Sequence, residues 1–301
     1  MLFTDEEQVQ RHLRMADLIP AMEKALIDFS AGRVRQPVRQ VIPVDPPGGF
    51  YGIMPALTPD GLGQKIVTFY PPNAEKGIAT HMALIVLNDP QTGAPLAVMD
   101  GRLITEMRTA AVSAAATKLL ASKNAKVLAI LGSGVQARSH FEALGIVRQF
   151  EEVRVWSQTK SHAESFAKEI GAKVRSQEDA VRGADVVVTV TSSRTPVLKG
   201  AWLKPGCHVN AVGACRHDWR ELDDDAMRNS VVFVDTREAA MKESGDVILS
   251  RARIYAELGE ALAGKIDHRA GETTIFKSLG MAVEDVAAAL LVYQAVKPTK
   301  S

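Results

Sequence analysis

One stretch constrains the fold of this chain more than any other. Val127-Leu-Ala-Ile-Leu131, an apolar run of strand length, passes without a break into Gly132-Ser-Gly-Val-Gln-Ala137. A buried strand that enters a glycine-rich turn and then a helix has the form of a phosphate-binding corner in a βαβ unit. Gly132 can take the tight turn, Gly134 lets a pyrophosphate approach the backbone, and the small Ala137 lets the following helix, which begins near Val135, pack on the strand. The free N–H groups and positive dipole end of that helix would hold phosphate, which brings Ser133, Val135 and Gln136 into the same site. Alone, such a segment can be only a turn. Here Val153-Arg-Val-Trp156 follows as a second strand about 20 residues on, and Asp185-Val-Val-Val-Thr-Val190 as a third, which is the order a dinucleotide-binding domain requires.

The class of dinucleotide is read at the end of the second strand, where an acidic residue ordinarily accepts hydrogen bonds from the adenosine ribose. After Trp156 the chain has Ser157-Gln-Thr159-Lys160 and no carboxylate. Hydroxyls and a cation suit a 2′-phosphate. NADPH is therefore favoured, with NADH possible, and Trp156, Ser157, Thr159 and Lys160 are the candidates for its adenosine end. The other reading is structural: Thr159 caps a helix from Lys160 to Ile170, and Lys160 is solvated.

A chain of 301 residues exceeds what one such unit needs and has room for a second domain. Its 36 basic and 35 acidic residues are interspersed, for a formal charge of +1, so there is no field to draw in nucleic acid or an anionic membrane. No apolar stretch reaches membrane-spanning length, and the acidic Met1-Leu-Phe-Thr-Asp-Glu-Glu7 carries no apolar leader. The expectation is a cytoplasmic protein acting on a small molecule. Cys207 and Cys215 lack metal-ligand spacing with the histidines, so neither a metal site nor a disulfide is indicated.

Thr4-Asp-Glu-Glu7 reads as a capping box opening a first helix, and Asp17 as the cap of a second, with Pro20 in its first turn and an end near Gly32. Val38 to Val44, Phe50 to Met54, Lys65 to Phe69, Met82 to Leu87 and Leu96 to Met99 are rich in β-formers and predict a mostly antiparallel sheet. An alanine-rich helix over Arg102–Ala121 follows. The βαβ region runs from Ala125 to about Phe276, with further strands at His208–Val212 and Val231–Val234. The last helix, Met281–Val296, reads as amphipathic and is expected to pack back on the N-terminal sheet. The fold class is thus α/β: a Rossmann-type dinucleotide-binding domain over 117–276, and a discontinuous α+β domain over 1–116 and 277–301.

Three cations stand among apolar neighbours where the N-terminal domain could face a nicotinamide: Arg39 in QPVRQVIP, Lys65 in GQKIVTFYPPN and Arg108 in ITEMRTAAVS. Arg108 lies on a helix otherwise built of small and aliphatic residues. A lone guanidinium there must find an anion, because an unpaired buried charge costs several kcal/mol. A substrate carboxylate is one candidate, and a structural ion pair or a solvated side chain is the alternative for each of the three. Lys65, if desolvated beside two arginines, would have a lowered pKa suited to a proton donor. His81 is either a second proton carrier or a hydrogen-bonded sheet histidine. Thr80 beside it bonds a substrate or simply the sheet.

These segments resemble the ornithine cyclodeaminase/mu-crystallin family over nearly the whole chain, and its mu-crystallin branch most. The resemblance is carried by Arg108–Ala121 (RTAAVSAAATKLLA), Ile130–Ala137, Val209–Ala214 (VNAVGA), Asp218–Met227 (DWRELDDDAM), Lys242–Val247, Glu257–Glu260 and Phe276–Asp285 (FKSLGMAVED). It implies a homodimer whose N-terminal domain binds substrate, dimerises and is closed by the C-terminal helix. It further implies that Arg39, Lys65 and Arg108 hold a substrate carboxylate, that Thr109 and the glycine turn touch the cofactor phosphates, and that Val212-Gly213 and Ser278-Leu279 lie beside the nicotinamide. Plain core packing is the other reading of Val212 and Leu279.

The departures from the cyclodeaminase pattern are specific. Cys215 stands where those enzymes carry an aspartate placed for ammonia loss, and Gly52 where they carry a glutamate before the Met-Pro pair. Cys215 is a loop filler or a reactive thiol; His217, after Arg216, is a loop residue or a substrate contact. The resemblance therefore implies reduction, with NADPH or NADH, of a cyclic ketimine such as Δ1-pyrroline-2-carboxylate or Δ1-piperideine-2-carboxylate to L-proline or L-pipecolate. In that chemistry the arginines fix the carboxylate so that the C=N carbon lies against nicotinamide C4, while Lys65, directly or through water, protonates the nitrogen. Reductive amination of a 2-oxo acid, cyclodeamination of ornithine, and ligand binding without catalysis are the rivals.

Overall fold

A computed structural model of the protein describes residues 1–266 and 271–297; residues 267–270 and 298–301, which fall within the two expected domain spans, lie outside the described residues. The chain divides into two compact units, Met1–Arg108 with Gly280–Ser301, and Thr109–Leu279.

The first unit contains β1 (Leu2–Thr4), α1 (Glu6–His12), α2 (Met15–Ser30), β2 (Gln40–Val44), β3 (Gly49–Leu57), β4 (Leu62–Phe69), β5 (His81–Asn88), β6 (Pro95–Asp100) and the start of α3 (Arg102–Leu120), together with the C-terminal helix Ala282–Val296. Its six strands lie in the order β1-β6-β5-β4-β3-β2. All pair antiparallel except β1, which runs parallel to β6. Alternation along the strands gives the sheet two faces. Gly52, Met54 and Ala56 of β3 stand opposite Val67, Lys65 and Gly63 of β4, and Ala83, Ile85 and Leu87 of β5 continue that face. The C-terminal helix packs on α2 and on β3, β4 and β5. Gly63 is part of this fit, since a Cβ there would meet Val286 Cγ2 at 3.2 Å.

The helix starts differ from the sequence reading for local reasons. Thr4 pairs with Met99 in the short strand β1 and is buried, so the cap passes to Asp5. Asp5 accepts the Gln8 N–H at 2.9 Å and returns its own N–H to Gln8 Oε1 at 3.1 Å. Asp17 is likewise no cap: α2 opens at Met15 behind Arg14, and Asp17 accepts from Arg14 Nε in the first turn, which leaves Pro20 inside the helix. The C-terminal helix starts at Ala282 and is buried through Ala282–Val286, Glu284 and Asp285 included, so it is not the half-exposed amphipathic element expected.

The second unit holds an eight-stranded, wholly parallel sheet. After the rest of α3 come β7 (Val127–Leu131), α4 (Val135–Val147), β8 (Glu152–Trp156), α5 (Lys160–Ile170), β9 (Lys173–Val174), α6 (Gln177–Val181), β10 (Val186–Thr189), β11 (His208–Ala211), α7 (Asp224–Arg228), β12 (Val231–Val234), α8 (Arg237–Glu243), α9 (Gly245–Ser250), β13 (Ile254–Glu257), α10 (Leu258–Leu262) and β14 (Thr274–Lys277). The strand order is β13-β12-β14-β11-β10-β7-β8-β9. It reverses direction between β7 and β10, the place where open parallel sheets bind ligands outside their strand ends. The alanine-rich helix α3 has two hydroxyls one turn apart on a buried face. Ser113 Oγ meets His140 Nε2 of α4 at 2.9 Å, and Thr117 Oγ1 accepts from Asn210 Nδ2 of β11 at 2.9 Å. Burial pulls the His140 pKa down to about 4, so this imidazole is a neutral structural partner at physiological pH.

Candidate active site

Within the first unit, Lys65 and Arg108 meet on one carboxylate. Lys65 Nζ lies 2.8 Å from Asp285 Oδ1 and 2.7 Å from Oδ2, and Arg108 Nε donates to the same Oδ1 at 2.9 Å. Arg108 Nη1 donates to Glu284 Oε2 at 2.6 Å, an oxygen that also accepts the Met281 N–H at 3.1 Å. Lys65 and Arg108 are 2 % and 4 % exposed, and both acids are fully buried. The anions that Arg108 needs are thus supplied by the first turn of the C-terminal helix, where the dipole favours carboxylates, as the structural ion-pair reading allowed. Sequence reasoning quoted Glu284 and Asp285 within a motif without giving either a role.

The electrostatics follow from this packing. Burial lowers the Lys65 pKa, Asp285 opposes it, and Arg108 and Arg39 add to the lowering, leaving the ammonium at about 8. Burial likewise works against the Asp285 carboxylate, but Arg108 and Lys65 outweigh it and hold its pKa below the usual aspartate value. Arg39, half-buried, donates to the Gly280 carbonyl at 3.0 Å. Gly280 has φ +81°, and a Cβ there would strike the Arg108 guanidinium. No other residue fits this corner between the two arginines without displacing one.

His81 opens β5 opposite Phe69, on the sheet face that carries Lys65. Burial, then the charges of Lys65 and Arg108, pull its pKa down to about 4. A neutral imidazole can bond a substrate but is a poor proton reservoir at neutral pH. Thr80 precedes it, half-buried, with its carbonyl accepting the Tyr70 N–H at 2.7 Å. At Gly52, the position of the missing glutamate, a Cβ would come within 2.9 Å of Val67 Cγ1.

In the second unit the turn after β7 has the geometry that a pyrophosphate requires. Gly132 has φ +129°, and a Cβ on it would lie 2.6 Å from the Val190 carbonyl oxygen just beyond β10, at the point where the sheet order reverses. Gly134 is the N-cap of α4, has no side chain to cap the helix, and faces open space where a Cβ would stand. Ala137 is fully buried, as close helix packing demands, while Ser133, Val135 and Gln136 lie at least partly open. The uncapped N-terminus and the open approach at Gly134 both fit a dinucleotide phosphate. Trp156 accepts the Gly132 N–H at 2.8 Å, and Ser133 Oγ meets Ser157 Oγ at 2.9 Å. Thr159 is the N-cap of α5 but makes no side-chain cap bond, and the exposed Lys160 lies 3.6 Å from Glu164. Thr109 follows Arg108 on α3 and is buried; Val212, Ser278 and Leu279 are buried at the ends of β11 and β14, with Gly213 half-buried beside them.

The profile of the ornithine cyclodeaminase/mu-crystallin family matches residues 1–300, and the chain belongs to that family. It is 53% identical over 300 residues to the ketimine reductase mu-crystallin of Mus musculus, covering 97% of this chain and 96% of the relative. Among solved structures it superimposes on the Δ1-pyrroline-2-carboxylate reductase of Thermococcus litoralis in complex with NADH and L-proline with a TM-score of 0.93, 38% identity, and coverage of 98% and 97% of the two chains. An archaeal alanine dehydrogenase dimer with bound NAD gives a TM-score of 0.92 at 35% identity, with 98% and 95% covered.

Proposed function

We propose that this member of the ornithine cyclodeaminase/mu-crystallin family is an NAD(P)H-dependent ketimine reductase. Its substrate is a cyclic α-imino acid of the Δ1-pyrroline-2-carboxylate or Δ1-piperideine-2-carboxylate class, and its product L-proline or L-pipecolate. The observation that carries the reading is Lys65: an ammonium wholly buried beside Arg108, with its pKa drawn down to about 8. Such a group holds a proton at neutral pH and gives it up readily, which is what an imine nitrogen needs before it can accept hydride.

In this reading Lys65 protonates the ring nitrogen and regains its proton from solvent. Arg39 and Arg108 orient the substrate carboxylate, and Asp285 keeps Lys65 charged and aimed. Thr80 and the neutral His81 complete the polar lining of the substrate site. Gly132, Ser133, Gly134, Val135, Gln136 and Ala137, with Thr109, hold the pyrophosphate; Trp156, Ser157, Thr159 and Lys160 hold the adenosine end and favour a 2′-phosphate, hence NADPH over NADH. Val212, Gly213, Ser278 and Leu279 take the nicotinamide, which when bound supplies the hydride. The unit Thr109–Leu279 is then the cofactor domain, and the other unit the substrate and dimerisation domain. Cyclodeamination lacks its carboxylates: Cys215, with Sγ 3.4 Å from the Val212 carbonyl, stands in place of the aspartate, and Gly52, where a Cβ would crowd Val67 Cγ1, in place of the glutamate.

A homodimer is part of this proposal. The face of the six-stranded sheet opposite Lys65 carries Phe3, Ile42, Leu57, Met82 and Leu84, all exposed, an apolar area of the kind a second subunit covers. Among the described residues no helix is long and apolar enough to cross a membrane. Neither cysteine is in a disulfide among the described residues, and Cys207 is fully buried, which suits a reducing compartment such as the cytoplasm.

The test is an assay of the purified protein with NADPH or NADH, read by absorbance at the nicotinamide band and by ammonia determination. Oxidation of the cofactor that depends on the cyclic imine and needs no ammonia is expected. Turnover that appears only with a 2-oxo acid plus ammonium, or ammonia release from ornithine, would replace the proposal with one of its rivals. Tight ligand binding without turnover would make the protein a binder.

A further inference from the structure

Three segments that mark the family contribute buried charges to neither the cation cluster nor the glycine turn along most of their length: Asp218–Met227, Lys242–Val247 and the strand end at Phe276–Leu279. Each sends one fully buried charged side chain to the same place in the second unit: Glu221, Asp246 and Lys277. Glu221 Oε1 accepts the Thr191 N–H at 2.7 Å and the Thr191 hydroxyl at 2.6 Å. Its Oε2 accepts the Thr189 hydroxyl at 2.8 Å and the Gly213 N–H at 2.7 Å. Asp246 Oδ1 accepts the backbone N–H groups of Glu221 and Leu222 at 2.9 and 3.0 Å, and its Oδ2 lies 3.2 Å from Lys277 Nζ.

The carboxylate of Glu221 thereby ties the chain leaving β10, at Thr191, to the chain leaving β11, at Gly213. The tie leaves no slack, because a Cβ on Gly213 would strike the Thr191 carbonyl. Lys277 ends β14, and the next residues are held in turn: Ser278 N–H donates to the Ala211 carbonyl at 3.0 Å, and Leu279 N–H to Asp235 Oδ2 at 2.6 Å. Apolar side chains would fill this space at a lower desolvation cost than three ionised groups. Charge-assisted bonds to backbone N–H groups at strand ends are justified where those ends must be held within a fraction of an ångström.

We infer that Glu221, braced by the Asp246–Lys277 pair, is a positioning residue for the nicotinamide half of the cofactor, because it fixes the strand ends around Gly213 against which the pyridine ring lies. The inference rests on the assignment of Val212, Gly213, Ser278 and Leu279 to the nicotinamide made above. Glutamine cannot replace Glu221: each carboxylate oxygen accepts a backbone N–H, so either orientation of the amide turns an NH2 group toward a donor.

The experiment compares two ligands in Glu221→Gln: the reduced dinucleotide that the wild type binds more tightly, and the matching adenosine diphosphoribose fragment that lacks nicotinamide. Both dissociation constants are measured by calorimetry without substrate. The variant should bind the whole dinucleotide about tenfold more weakly and the fragment within about twofold of wild type, the size of effect expected from loss of one charge-assisted hydrogen bond. Thr191→Val, which removes one hydroxyl donor and keeps the shape, should show the same selectivity in smaller measure and serves if the glutamine variant does not fold. Equal weakening of both ligands, or of neither, would overturn the inference. A wild type that binds neither ligand would instead bring down the dinucleotide reading itself, and this inference with it.

Discussion

Lys65→Met is expected to lower kcat for imine reduction by about 10²–10⁴-fold while leaving the dissociation constant of the reduced dinucleotide unchanged, the range associated with removal of a positioned general acid. The substitution keeps the length and volume of the side chain and removes the proton. Its effect on folding should be smaller than the full cost of stripping a buried carboxylate of its partners, because Asp285 retains Arg108 at 2.9 Å. A folded variant with ordinary turnover would remove Lys65 from the chemistry and leave it as a structural cation.

Asp285→Asn should be costlier to the fold. It leaves Lys65 and Arg108 buried around a neutral amide, and breaking a buried pair from one side typically costs about 3–5 kcal/mol. Glu284 still accepts from Arg108, so the burden falls on Lys65, which has an escape: it can release its proton. Asp285 is the group that holds the Lys65 pKa up against burial and against both arginines. Without it the pKa should fall below 8, the acid should be spent at neutral pH, and activity should recover in part as the pH is lowered. Denaturant unfolding and activity over a range of pH would read both effects. A variant with wild-type stability, or with activity lost equally at every pH, would show that Asp285 does not govern the lysine.

Much of this was legible in the sequence because the glycine turn, the three strands around it and the cations each leave a local mark. The turn at Gly132 needs a positive φ, and few residues other than glycine supply one. Lys65 stands out because an ammonium sits in a run of β-formers. What stayed hidden depended on distant partners. Glu284 and Asp285 meet Arg108 across 176 and 177 residues, and two acids in the first turn of a helix have an ordinary explanation in the dipole. The usable signal was their company: in Ala-Val-Glu-Asp-Val-Ala-Ala-Ala every residue but the two acids is small and apolar, the setting in which a carboxylate is buried and paired. Glu221 was masked by its neighbours, since an acid-rich stretch reads as a solvated surface. The strand β1 was missed because three residues pairing in parallel at a sheet edge carry almost no periodicity, and its Thr4 then looked like a cap.

The most direct test of the central claim, that the buried Lys65 ammonium is the acid, is the pH dependence of kcat/KM for the cyclic imine in the wild type and in Lys65→Met. Only the protonated amine can donate, so kcat/KM should be level on the acid side of the Lys65 pKa and fall about tenfold per pH unit above it, with the break near 8. The break should vanish from the residual activity of the methionine variant. A wild-type profile that passes through that region without a break, or a break that survives unchanged in Lys65→Met, would contradict the account.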